Sequence, residues 1–345
     1  MAAGNARYGG VTSAATGYAR VLIIGQQLRH YLLLAGYFCF KMDGDWKWRR
    51  PGRRVCLTEG HFAVPQPTFH FISGLPRSGS TLLSGILLQN PRFHAGMTSP
   101  VGNLCSTLLS QLSAGSEFGP VVPREKRRAL VRGLFDSYYA DVGRPLVFDT
   151  NRAWCARMGL IRDLYPQAKV IACVRNVAWI MDSMERMYRA NPYEYTKLFG
   201  AQGARGTVYS RLDAMAQHDQ TVGFAWAALR EAFFGEHAAS LLLVDYELLT
   251  RAPAKVLPLV YDFLGEPRFE HDFDNVEYDA EEFDAALGVP GLHRVKSQVR
   301  YTPRRTVLPP DLFEKFSQMS FWSDASGSAA HVIAAQSAQR EGSAQ

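Results

Sequence analysis

Residues 69–88 read Phe-His-Phe-Ile-Ser-Gly-Leu-Pro-Arg-Ser-Gly-Ser-Thr-Leu-Leu-Ser-Gly-Ile-Leu-Leu. An apolar run at 69–72 leads into a glycine-bounded turn, and leucines at helical spacing follow. The pattern predicts a strand over 69–73, a tight turn, and a helix over 80–89 that Asn90-Pro91 ends. Gly74 and Gly79 stand at the spacing of a phosphate-binding P-loop, Gly-x4-Gly-Lys-Ser/Thr. Thr81 holds the hydroxyl position. Ser80 stands where that pattern has lysine, and the cation has moved into the loop as Arg77. Amides from Ser78, Gly79, Ser80 and Thr81 at a helix N-terminus point at an anion. Arg77 adds a planar donor fork suited to phosphate or sulfate. A glycine turn that only caps a helix is the plainer reading. The preceding strand and the Arg77-Ser78 pair favour a ligand site instead.

The surrounding chain suits such a site. It has 345 residues, a formal net charge of +6, and 47% hydrophobic and 12% aromatic residues. That supports a substantial core. The basic excess suits a polyanionic ligand but is too weak to imply nucleic acid as a partner. The five cysteines form no CxxC pair and no Cys/His cluster, so neither a disulfide framework nor a metal site is indicated. A reducing, cytoplasmic setting fits. Residues 1–68 read as an N-terminal extension and linker. Within it, 21–40 has the length of a membrane span, but Gln26, Gln27, Arg29 and His30 interrupt it. An arginine at mid-span costs about 2.5–3.5 kcal/mol on insertion scales. The expectation is an amphipathic segment with weak membrane association at most, followed by the basic stretch 41–54.

From 69 to 322 apolar runs alternate with helical patterns. Further strands are expected at 145–149, 169–174 and 241–245. Helices are expected at 124–141, 153–164, 177–190, 211–235, 253–264 and 310–320. A polar loop is expected after Asn90-Pro91, a loop or lid at 191–210, an exposed acidic stretch at 270–285 and a basic one at 291–306. Residues 323–345 read as a disordered tail. This alternation gives an α/β fold, a three-layer α/β/α arrangement around a mainly parallel sheet. Ligands of such sheets bind at the carboxyl ends of the strands, where the Gly74 loop lies.

The expected strand 169–174 delivers Arg175 to its carboxyl end, and Ser183 follows eight residues on, about two helical turns. Such a pair can converge on one anionic group. GLPRSGSTLL and VRNVAWIMDS together resemble the two cofactor motifs of the sulfotransferases that use 3′-phosphoadenosine 5′-phosphosulfate (PAPS). The resemblance continues through Val244-Asp245-Tyr246-Glu247-Leu248, Asp262-Phe263-Leu264-Gly265 and the segment His293 to Pro310, similar to that family's cofactor-closing loop. It covers roughly residues 69–322. PRSGSTLL and the following QNPRFHAGM are most similar to the branch that includes tyrosylprotein sulfotransferases and their bacterial relatives.

The resemblance implies a sulfotransferase that moves a sulfuryl group from PAPS to an acceptor hydroxyl on a protein tyrosine, a glycan or a small metabolite, without a metal. It implies that Arg77, Ser78, Gly79, Ser80 and Thr81 hold the 5′-phosphosulfate and that Arg175 and Ser183 hold the 3′-phosphate. It places Tyr246 beside the adenine. At the position of that branch's catalytic Glu this chain has Thr98, and Arg152 stands near the position of its leaving-group lysine. The base is therefore open among Asp149, His94 and His293. A P-loop kinase is one alternative, which the absent lysine disfavours. A non-catalytic adenine-nucleotide-binding protein is another. The basic aromatic stretch 185–211 reads either as a lid or as a solvated face.

Overall fold

The computed structural model describes residues 38–42, 45–49, 67–113, 115–190, 206–278, 284, 295 and 297–334. The chain divides into two units, Met1–Val64 and Pro65–Gln345. In the first, β1 (Phe38–Met42) and β2 (Asp45–Arg49) form an antiparallel hairpin. Residues 21–37 of the membrane candidate lie outside the described residues. Among the described residues no helix is long and apolar enough to cross a membrane.

The second unit is built on six parallel strands: β3 (Thr68–Gly74), β4 (Phe93–Thr98), β5 (Leu146–Thr150), β6 (Val170–Val174), β7 (Leu241–Asp245) and β8 (His331–Ile333). Their order across the sheet is β4-β5-β3-β6-β7-β8. Alternation along each strand separates two cores. Phe69, Phe71, Val147, Val170, Ala172, Val174, Leu241 and Leu243 face one core. Ile72, Leu146, Phe148, Ile171, Cys173, Leu242 and Val244 face the other. Burial on both faces is why these strands read as unbroken apolar runs. The first core is closed by α3 (Arg124–Tyr138), α4 (Met158–Leu164), α5 (Val177–Ala190), α7 (Thr221–Phe234) and α10 (Pro310–Ser317). The second is closed by α1 (Ser80–Leu88) and α9 (Pro253–Leu264). The architecture is therefore the expected three-layer α/β/α.

Four local expectations differ from the structure. The polar loop after Asn90-Pro91 holds β4 and α2 (Val101–Gln111) instead. FHAGMT is a poor strand by composition. Phe93 is nonetheless fully buried against Phe148 and stacked on Tyr261 at 5.6 Å. Burying such a ring contributes about 1.5–3 kcal/mol, against a β-propensity range of only ~1 kcal/mol. The helix expected over 211–235 is two, α6 (Val208–Met215) and α7. A side chain at Gly223 would lie 2.1 Å from the Gln217 carbonyl, so α7 starts in close contact with the end of α6. The tail does not begin at Ser323, because His331–Ile333 pair with Leu242–Val244 as the edge strand. Asp284, expected in an exposed acidic stretch, is buried.

Connectivity reverses at the β3/β6 pair. The chain leaves β3 toward β4 and β5, and it leaves β6 toward β7. Open α/β sheets form a crevice at such a point. The Gly74 and Arg175 loops flank it, and Gly74 pairs directly with Cys173.

Candidate active site

The loop after β3 is shaped by contacts that a side chain would block. Gly74 has φ +105°, and a Cβ there would meet the Cys173 carbonyl at 2.2 Å. Gly79 has φ +93°, and a Cβ there would meet the Tyr246 ring at 2.7 Å. Between them Arg77 adopts φ 57°, the one positive φ at a non-glycine residue among those described. Such a conformation is uncommon outside glycine and collects at functional sites. The Ser78 hydroxyl turns inward and bonds to the Leu75 and Cys173 carbonyls, the latter at 2.8 Å. It does not line the cavity. Only its backbone amide remains for the ligand role expected of it. Helix α1 then begins at Gly79 with no side-chain cap and no acidic residue in its first turn. Its first amides are left for an anion.

A cavity of about 440 Å³ opens at this point, within the range of small-ligand sites. Its lining brings together Arg77, Gly79, Ser80, Thr81, Thr98, Arg152, Arg175, Ser183 and Tyr246, all expected from the sequence. Arg77 Nε donates to Ser183 Oγ at 3.2 Å. The side chain expected at the sulfuryl end therefore touches the helix expected at the 3′-phosphate end. Arg175 lies 4.4 Å over the Tyr246 ring, and its Nη1 reaches the Arg77 carbonyl at 3.5 Å. Its Nε is buried with no hydrogen-bond partner. Tyr246 thus supports Gly79 on one side and Arg175 on the other.

Burial lowers the pKa of Arg77, Arg152 and Arg175 alike. For Arg77, Tyr246 and Asp284 offset part of that shift and Arg304 adds to it. Guanidinium groups stay protonated in proteins. Burial therefore leaves these charges with less solvation than water gives them. Arg300 and Arg304 also line the cavity, making five arginines, and no carboxylate lies in its lining among the described residues.

The base candidates fare differently. Asp149 is fully buried and accepts from Ser99 Oγ at 2.6 Å, Tyr139 Oη at 2.6 Å and Trp154 Nε1 at 2.7 Å. Burial raises its pKa, and these three bonds oppose the rise. It braces the wall under Thr150 and Asn151 and is not available to an acceptor. His94 pairs with Val147, four residues before the strand end at Thr98, and it does not line the cavity. His293 and the residues 191–205 of the expected lid lie outside the described residues. Thr98 lines the cavity but carries no carboxylate.

Sequence reasoning passed over Asp284. It is buried, and its charge acts on both Arg77 and Tyr278. The Tyr278 hydroxyl accepts from the Met97 amide beside Thr98. No sequence pattern marks Asp284, because it lies in an acidic stretch far from either motif.

The sequence profile of the Sulfotransferase family matches residues 70–271. Among solved structures, the chain is similar to the sulfotransferase domain from the curacin biosynthetic pathway: 18% identity, TM-score 0.45, covering 74% of this chain and 92% of that one. It is similar to the sulfotransferase domain of the Synechococcus PCC 7002 olefin synthase at 20% identity, TM-score 0.40, covering 79% and 97%. A mouse sulfotransferase complexed with PAP shows 15% identity, TM-score 0.38, covering 67% and 70%. No curated protein matches. The profile spans more than half of the chain, from the strand before the Gly74 loop to beyond the helix after Tyr246, so this protein belongs to the sulfotransferase family and is a sulfotransferase enzyme.

Proposed function

We propose that this sulfotransferase takes its sulfuryl group from PAPS and delivers it to an acceptor hydroxyl. The convergence of five arginines on a cavity whose lining has no carboxylate, with Arg175 Nε left unpartnered, carries the reading. A ligand with two separate anionic groups fits that demand better than a monoanion. The amides of Gly79, Ser80 and Thr81 and the Ser80 and Thr81 hydroxyls would hold the 5′-phosphosulfate. Arg175 and Ser183 would hold the 3′-phosphate. The donor, when bound, supplies a sulfuryl group already activated by its link to a phosphate leaving group. Arg77 and Arg152 would set positive charge where negative charge gathers during transfer, with no reorganisation at that moment. Asp284, outside the cavity lining, would act through the charge of Arg77 and would not touch the acceptor. Acceptors that present a hydroxyl near Thr98 and Tyr278 suit this arrangement, whether a tyrosine, a glycan or a small metabolite.

Calorimetry with 3′,5′-adenosine bisphosphate, AMP and ATP tests the donor. The bisphosphate is expected to bind at least about tenfold tighter than AMP, the value of one charge-assisted hydrogen bond. Equal affinities would remove the 3′-phosphate from the reading. Preference for ATP would favour a kinase.

A further inference from the structure

The segment 297–308 crosses the cavity and is held at both ends. At one end, Val276 N–H donates to the Ser297 carbonyl at 2.7 Å, Val299 N–H to the Phe273 carbonyl at 2.8 Å, and Tyr301 N–H to the Thr250 carbonyl at 3.1 Å. At the other end the segment meets helix α5, one residue before Ser183. Asp182 is fully buried there. Its Oδ1 accepts from the Val307 amide at 2.7 Å and the Thr306 hydroxyl at 3.1 Å. Its Oδ2 accepts from Arg304 at 2.8 Å and Arg186 at 2.9 Å. Arg186 in turn donates to the Arg305 carbonyl, and Arg304 to the Trp179 carbonyl at 3.3 Å.

A carboxylate taken wholly out of water is costly unless both oxygens are paired. Here four donors pair it, and three of them come from the crossing segment. Burial is the main cause of the lowered Arg175 pKa, and Arg304 is the first neighbour that lowers it further. Without Asp182, that mutual repulsion would drive the half-exposed Arg304 toward solvent. Helix α5 thus carries two adjacent polar residues with opposite duties. Ser183 faces the cavity, and Asp182 faces the segment that covers it.

We infer that Asp182 is a positioning residue for the nucleotide: it fastens residues 304–307 to α5 and thereby holds Arg304 in the cavity wall beside Arg175 and Arg77. This rests on the PAPS reading above and adds a residue that never touches the ligand.

A double-mutant cycle tests it, using Asp182→Asn, Arg304→Gln and the pair, each titrated with 3′,5′-adenosine bisphosphate. Asp182→Asn is expected to weaken binding about tenfold, one charge-assisted contact acting through Arg304. In the Arg304→Gln background the same change is expected to have little further effect, a coupling that a merely structural role would not produce. Donor KM is expected to rise while kcat for saturating donor stays within a factor of about three, since the residue acts on binding and not on chemistry. Additive losses, or wild-type affinity in Asp182→Asn, would overturn the inference. Failure of the wild-type protein to prefer the bisphosphate would instead overturn the donor. Should Asp182→Asn not fold, Thr306→Val removes one of the four contacts from the segment's own side. It is expected to give a smaller shift of the same kind, and no shift would count against the inference.

Discussion

Two carboxylates, Asp149 and Asp182, are equally buried on opposite sides of the cavity, and their partners differ in kind. Asp149, at the end of β5, is held by neutral donors: a serine, a tyrosine and a tryptophan. Asp182, on α5, is held by two guanidinium groups, a hydroxyl and an amide. The β4/β5 wall is therefore braced at Asp149 by short-range hydrogen bonds from neutral groups. The α5 wall is braced by charge and carries an excess of cation toward the cavity. One side is held by neutral donors, and the other by paired charges.

The sharpest test of this contrast removes charge from the cationic side. Arg77→Ala is expected to lower kcat about 10³-fold, the upper range for losing one oxyanion-type donor. Calorimetry should show its affinity for 3′,5′-adenosine bisphosphate falling by much less. Equal losses in rate and affinity would mean that Arg77, through Ser183, serves binding only.

A smaller effect is expected from Asp284, another buried carboxylate. Asp284→Asn should lower kcat about tenfold, as for a charge that acts through Arg77, while bisphosphate affinity holds or rises. Unchanged kcat and affinity would remove Asp284 from the charge balance at Arg77.

The smallest effect belongs to the neutral side. Burial raises the folded-state pKa of Asp149 above its unfolded value. A raised pKa means that the folded state binds the proton more tightly. Its contribution to stability is then full below the ordinary carboxylate value of about 4 and is lost as pH rises through the raised value. Thermal unfolding of Asp149→Asn across that window should show a flatter pH dependence than the wild type, with activity retained within a few-fold. An unaltered slope would show that another group sets it.

Much of the fold was legible because its signals are local. Strand β3, its glycine turn and α1 lie within 21 consecutive residues, Thr68–Leu88. Strands β6 and β7 are buried on both faces, so their apolar runs announce them. Strand β4 was not legible, since its stability comes from Phe93 meeting Phe148 and Tyr261, residues 55 and 168 positions away. Nor was β8, a three-residue edge strand that exists only where β7 offers a free edge.

The candidate site divides along the same line. The amino-acid sequence by itself determined the glycine-bounded loop that carries Arg77, the Arg175/Ser183 pair and the family, because spacing along a strand–turn–helix sets where those groups point. Tertiary structure alone decided that Arg77 reaches Ser183, that Ser78 turns inward, that Asp149 is spent on bracing the wall, and that Asp182 fastens a segment more than 120 residues downstream. The reason is physical. Local geometry follows from backbone and side-chain type, whereas the role of a buried charge depends on which distant donors folding brings to it.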